Sequence, residues 1–153
     1  MDKYSKADQQ GQEIVVKILK RIFSGCTLDI DQHYDDMSPV DIYMTATTKD
    51  EKQTTYAIEC KDRKYGHNTF SDSVIEIHKY DAVSATQEDG YRPIYFNTFS
   101  DDTYLVWDLS KCKPIKRGMT SNKSTVESWK GKRTTPRYFL KNSDCKFSGT
   151  TLS

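Results

Sequence analysis

The chain predicts an α/β domain, a mixed sheet with helices laid over it. Residues 6–23 and 71–87 repeat apolar side chains at helical spacing, and five short stretches alternate or run apolar as strands do. The order is helix, three strands, helix, two strands. A strand-helix-strand passage after a hairpin brings the chain back parallel to itself, so the sheet is mixed and the helices cover it. With 153 residues there is room for one domain with a real core and not for two. Charged residues at 29% against 35% hydrophobic ones surround that core with a heavily polar surface.

The first helix, 6–23, rests on Ile14, Val15, Ile18, Leu19 and Ile22, with Gly25 as its stop and Glu13 one position ahead of the stripe. Residues 26–34 alternate loosely as a first strand, and Asp35, Asp36, Ser38 and Pro39 break it. The second strand, "VDIYMTAT" at 40–47, sets Val40, Ile42 and Met44 against Asp41, Tyr43 and Thr45. Polar residues 48–53 make a hairpin turn, and 54–61 returns as the third strand. There Tyr56, Ile58 and Cys60 take one face, and Ala57, Glu59 and Lys61 the other.

After a polar loop, 71–87 carries Val74, Ile75, His78, Ala82, Val83 and Ala85 as the second helix, which Gly90 ends. "RPIYFNTF" and "TYLVWDL" are the fourth and fifth strands. Residues 1–110 then form the core of the domain. Residues 111–153 read as a basic, irregular extension packed on the same domain, with a short helix at 124–129.

Several function classes are excluded at this level. No apolar run reaches the roughly 20 residues that span a bilayer, and MDKYSKADQQ lacks the apolar centre of a signal peptide. The expectation is a cytoplasmic protein with no membrane partner. Cys26, Cys60, Cys112 and Cys145 form no CxxC pair, which argues against a zinc site or a redox dithiol. His33, His67 and His78 show no metal-binding spacing, and Asp29, Asp31, Asp35 and Asp36 lack the Gly and terminal Glu of a calcium loop. A glycine-rich phosphate loop is also missing.

The net charge of +1 hides an asymmetry. Residues 1–110 hold 12 Lys and Arg against 20 Asp and Glu, and residues 111–153 hold 11 against 2, giving −8 and +9. A segment so basic suits a polyanion, because each cation placed on a phosphate releases condensed counterions.

Glu59 and Lys61 share one side of a strand whose other side is apolar, and Asp41 sits on its hairpin partner. With Glu13 they make a coherent set. Hard carboxylate oxygens bind Mg²⁺ or Mn²⁺, and Mg²⁺ is usually held by one or two carboxylates plus water and phosphate oxygens. A lysine beside such an ion can orient or deprotonate a water. Phosphodiester hydrolysis requires these parts.

On these residues the sequence resembles the PD-(D/E)xK nuclease superfamily, whose signature is an acid on one strand and Glu or Asp, any residue, and Lys on its hairpin partner. Here those are Asp41 and Glu59-Cys60-Lys61. The resemblance covers roughly residues 6–109 and implies the restriction-endonuclease-like fold. It implies metal ligation by Asp41, Glu59, the Cys60 backbone carbonyl and Glu13, with Lys61 acting on the attacking water. Lys79 and Tyr80 on the next helix would contact phosphate or support Lys61. It further implies an Mg²⁺- or Mn²⁺-dependent endonuclease acting on DNA, in the manner of a Holliday-junction resolvase or a phage-type enzyme of repair or recombination. Small stand-alone members of this kind are often homodimers. Where members of this family carry a Pro it directly precedes the first acid, and many lack it; here Val40 stands between Pro39 and Asp41.

The loop "DRKYGHN" adds Arg63, Lys64 and Tyr65 as groups that hold phosphate or stack on an unpaired base. The extension adds Lys130, Lys132, Arg133 and Arg137, interleaved with Trp129, Tyr138 and Phe139. The rival expectation is a nucleic-acid-binding module that keeps the nuclease scaffold without activity, and an RNA substrate would use the same residues.

Overall fold

A computed structural model describes residues 5–34, 38–121 and 133–150. The first helix, α1 (Ser5–Ile22), turns Val15, Ile18 and Leu19 into the core. Each such burial stabilises the fold by about 1.5–3 kcal/mol. Ile14, expected in the stripe, is 39% exposed, and the buried line runs through Gln12 instead. Gln12 satisfies its amide by donating from Nε2 to the His33 carbonyl at 2.7 Å. Gln12 lies three residues before Val15, so it continues the buried face toward the start of α1.

Strands β1 (Thr27–Gln32), β2 (Ile42–Thr47) and β3 (Gln53–Asp62) form an antiparallel meander, with Ile30 opposite Met44 and Ile42 opposite Ile58. The β2–β3 turn closes with Thr48 N–H donating to the Lys52 carbonyl at 2.9 Å. The chain then crosses to β5 (Arg92–Thr98), which runs parallel to β3, with Glu59 level with Tyr95 and Lys61 with Asn97. Strand β6 (Thr103–Asp108) returns antiparallel to β5.

The crossover departs from expectation. Residues 71–87 are not one helix. They form β4 (Asp72–Ile75), α2 (Ile77–Ala85) and a 3-10 turn, Thr86–Asp89, which Gly90 ends at φ 89°. In β4, Ser73 and Ile75 are buried and alternate with Asp72 and Val74, which is a strand's period.

The partner that makes β4 a strand lies far along the chain, in the extension, which is not irregular. It contributes β7 (Ile115–Ser121), β8 (Arg133–Lys141) and β9 (Phe147–Thr150). The central sheet has the order β1-β2-β3-β5-β6-β9, and a second sheet has β4-β8-β7. Pro136 sits in β8 opposite Gly118 of β7. The β4–β8 ladder covers only 138–141, so a residue without an N–H faces no partner on that side. The expected helix at 124–129 lies outside the described residues.

Two clusters of buried residues flank the central sheet. Val15, Ile18 and Leu19 pack with Ile42, Met44, Ile58 and Phe96 on the α1 side. Ala57, Val83, Tyr95, Trp107 and Leu140 pack on the α2 side. Leu140 comes from β8, and Trp107 Nε1 donates to the Lys141 carbonyl at 3.0 Å, so the two sheets are joined through the core. Along β3, Ile58 belongs to the first cluster and Ala57 to the second. Glu59 therefore points to the α2 side, into protein and not into solvent.

Candidate active site

Asp41 lies just before β2. Its backbone carbonyl accepts the His33 N–H at 2.7 Å, and its Oδ2 accepts the Cys60 N–H at 2.9 Å. One step beyond the Ile42–Ile58 pair, it is level with Glu59 across the hairpin. Like charges facing each other in this way are destabilising unless something neutralises them. In a strand the N–H and C=O of one residue face the same neighbour, so the Cys60 carbonyl lies on the Asp41 side as well.

Glu59 is only 5% exposed. Burial first, and then the Asp41 charge, push its carboxyl up to about 8, against the pull of Lys79 and Lys61. Lys79 of α2 reaches across to place Nζ 3.6 Å from Glu59 Oε2. Lys61 is exposed as a residue, yet the protein mass around it, then the Arg63 and Lys79 charges, lower its pKa. Glu59, Lys61, Arg63, Lys79 and Arg137 line one cavity of about 170 Å³ with Glu76 and Tyr95.

Arg63, expected on a mobile loop, is 8% exposed. Its Nε donates to Asn97 Oδ1 at 2.9 Å, and one Nη donates to Tyr95 Oη at 2.9 Å and to the Val74 carbonyl. It ties the end of β3 to β5 and β4 while still lining the cavity. Tyr80 turns away from the cavity and packs edge-on against Tyr138 at 4.8 Å. Lys64 is exposed and pairs with Asp62 at 3.1 Å, and Tyr65 packs on Phe70.

Glu13 is exposed on α1, beside the buried Gln12. Lys130 and Lys132 lie outside the described residues, and of Arg133 only its place at the start of β8 is described. The sequence reading missed Glu76, Tyr95 and Asn97, and gave Arg137 no specific place. No local pattern marks these four, because β5, β8 and the start of α2, separate in sequence, bring them together.

The donor chemistry fits a hard divalent cation. Two opposed carboxylates, one buried and reluctant to ionise alone, would both gain from it. Among the described residues no three His, Cys, Asp or Glu side chains cluster to hold a metal. The remaining ligands would be the Cys60 carbonyl, water and phosphate oxygens, a usual complement for Mg²⁺.

The sequence matches no family model and no curated protein. The structure is similar to that of Hjc, a Holliday junction resolvase from the archaeal hyperthermophile Archaeoglobus fulgidus. The likeness has a TM-score of 0.51 at 11% identity, over 92% of this chain and 91% of that one. At that identity the likeness establishes the architecture alone: this chain has the restriction-endonuclease-like fold, a mixed central sheet flanked by helices, that the resolvase has.

Proposed function

We propose that the chain is a nuclease that hydrolyses phosphodiester bonds of DNA with a divalent cation, Mg²⁺ or Mn²⁺. The observation that carries this is the pairing, in one small cavity, of a buried carboxylate opposite Asp41 with four cationic side chains, Lys61, Arg63, Lys79 and Arg137. A pure binding surface needs the cations; it has no use for two carboxylates forced together. The fold, shared with a Holliday junction resolvase, supports the same reading.

Asp41 and Glu59, with the Cys60 carbonyl, would hold the cation, and Glu13 is a further candidate ligand. When bound, the ion withdraws charge from the phosphate and makes its water a better nucleophile. Lys61 takes the proton of the attacking water, a role its lowered pKa favours. The water oxygen bonds to phosphorus as the bond to the 3′-oxygen breaks; that oxygen takes a proton from solvent water, and the products carry a 5′-phosphate and a 3′-hydroxyl. Lys79, whose Nζ lies 3.6 Å from Glu59 Oε2, turns to the phosphate, and Arg63 and Arg137 hold its other oxygens.

The second reading, a binding module without activity, is favoured by the Lys79–Glu59 ion pair, which already gives the buried acid a partner. Cleavage of single-stranded, duplex, flap and four-way-junction DNA and of RNA, with Mg²⁺ or Mn²⁺ and with EDTA, separates the two. Metal-dependent cutting lost in Lys61→Ala supports the nuclease. Binding without cutting by the wild type supports the module.

A further inference from the structure

The small sheet has an inner and an outer face. Ser73, Ile75 and Leu140 are buried, and the alternate residues Val74 of β4 and Phe139 of β8 pair with each other on the other side. From β7, Met119 and Arg117 join them around a cavity of about 300 Å³. Its far wall is the loop after β3, where Phe70 is 56% exposed and is braced edge-on by Tyr65 at 5.0 Å between ring centroids.

Phe70 and Met119, the latter 43% exposed, open on the same cavity beside Phe139, a contiguous apolar patch of the kind that marks an interaction site. The guanidinium of Arg117 lies 4.1 Å above the Phe139 ring centre and is paired with Asp72. With its cation already neutralised, the cavity has no surplus charge to attract a phosphate. Stacked guanidinium, thioether and aromatic edges instead suit a flat, uncharged ring.

Val74 and Met119 also line the cavity that holds Glu59, Lys61 and the other cations. The two hollows therefore adjoin, one built for an anion and one for a planar ring. Nucleotides repeat that alternation of phosphate and base.

We propose that the outer cavity receives one unstacked nucleobase, of the nucleotide beside the phosphodiester held by Lys79, Arg63 and Arg137 in the adjoining cavity. This rests on the nuclease reading for the kind of polymer, and not for the cutting itself. A base inside a duplex is stacked and paired and cannot enter, so the cavity selects a nucleotide that is unpaired next to the cut.

The test is equilibrium binding of the full chain in EDTA to three probes of equal length: a single-stranded oligodeoxynucleotide, its abasic counterpart and a duplex. The expected result is that wild type prefers the base-bearing strand to the abasic one. Phe70→Ala should lower the ratio of single-strand to duplex affinity by about tenfold or more. Phe147→Ala, an exposed aromatic on β9, is expected to keep that ratio. Equal wild-type affinity for base-bearing and abasic strands, no single-strand binding, or a Phe70→Ala ratio within about twofold of wild type would overturn the proposal. A chain that meets the expectation but cuts nothing keeps the base pocket and loses the nuclease reading. One that cuts with metal while its Phe70→Ala ratio stays put keeps the nuclease and loses the pocket.

Discussion

Glu59 shows how one residue ties stability to the proposed chemistry. Its folded pKa, about 8, lies above the ordinary 4.5, so the folded protein holds a proton there that the unfolded chain releases. The resulting stabilisation is complete below about pH 4.5 and is lost as pH rises through about 8. In EDTA, Glu59→Gln should therefore raise the melting temperature at pH 8 and above, by the equivalent of about 1–3 kcal/mol, and change it little near pH 4. Thermal denaturation at the two pH values checks this, and equal effects at both would contradict it. Mg²⁺ should stabilise wild type at pH 8 and lose that effect in the variant. Arg63 makes a different prediction, because three neutral acceptors surround its guanidinium. Lysine cannot reproduce the fork, so Arg63→Lys should cost about 2–4 kcal/mol in chemical denaturation, even without any substrate.

At the scale of elements, what the sequence revealed was what alternates locally. The hairpin of β2 and β3 announces itself by a period of two, and that period already put Asp41, Glu59 and Lys61 together. The strand β4 did not, since four residues beside a helix look helical until Leu140 and Phe139 arrive from β8 to pair with Ser73 and Val74. Pro136 is tolerated within β8 because the β4 ladder stops short of it. Arg63 looked like a loop cation because its acceptors sit on β4 and β5. Gln12 continues the buried line of Val15 and Leu19 at helical spacing, although as a polar residue it was not counted in the apolar stripe, while Ile14 lies on the exposed side of α1. It follows that the extension is structural: Leu140→Ala, which removes a core side chain 2% exposed, should cost about 2–5 kcal/mol by chemical denaturation. A loss below about 0.5 kcal/mol would show that the second sheet is only lightly docked.

Across the whole molecule, the charge asymmetry acquires a place. Residues 1–110 supply the acids and residues 111–153 much of the positive charge, and β8 returns Arg137 to the cavity where Glu59 lies. If Arg137 holds a phosphate, Arg137→Ala should weaken DNA binding at low salt and reduce the slope of log affinity against log salt by about one. Titrations at several salt concentrations measure that slope, and an unchanged one would remove Arg137 from the interface. The central claim, that Asp41, Glu59 and Lys61 form a metal-dependent phosphodiesterase site, is tested most directly by incubating wild type, Asp41→Asn and Lys61→Ala with four-way-junction, flap, duplex and single-stranded DNA in Mg²⁺ and in EDTA. The account predicts cutting by wild type in Mg²⁺ only, with 5′-phosphate ends, and a loss of at least about a hundredfold in each variant. Wild-type binding with no cleavage of any substrate, or cleavage that survives EDTA and both substitutions, would contradict it.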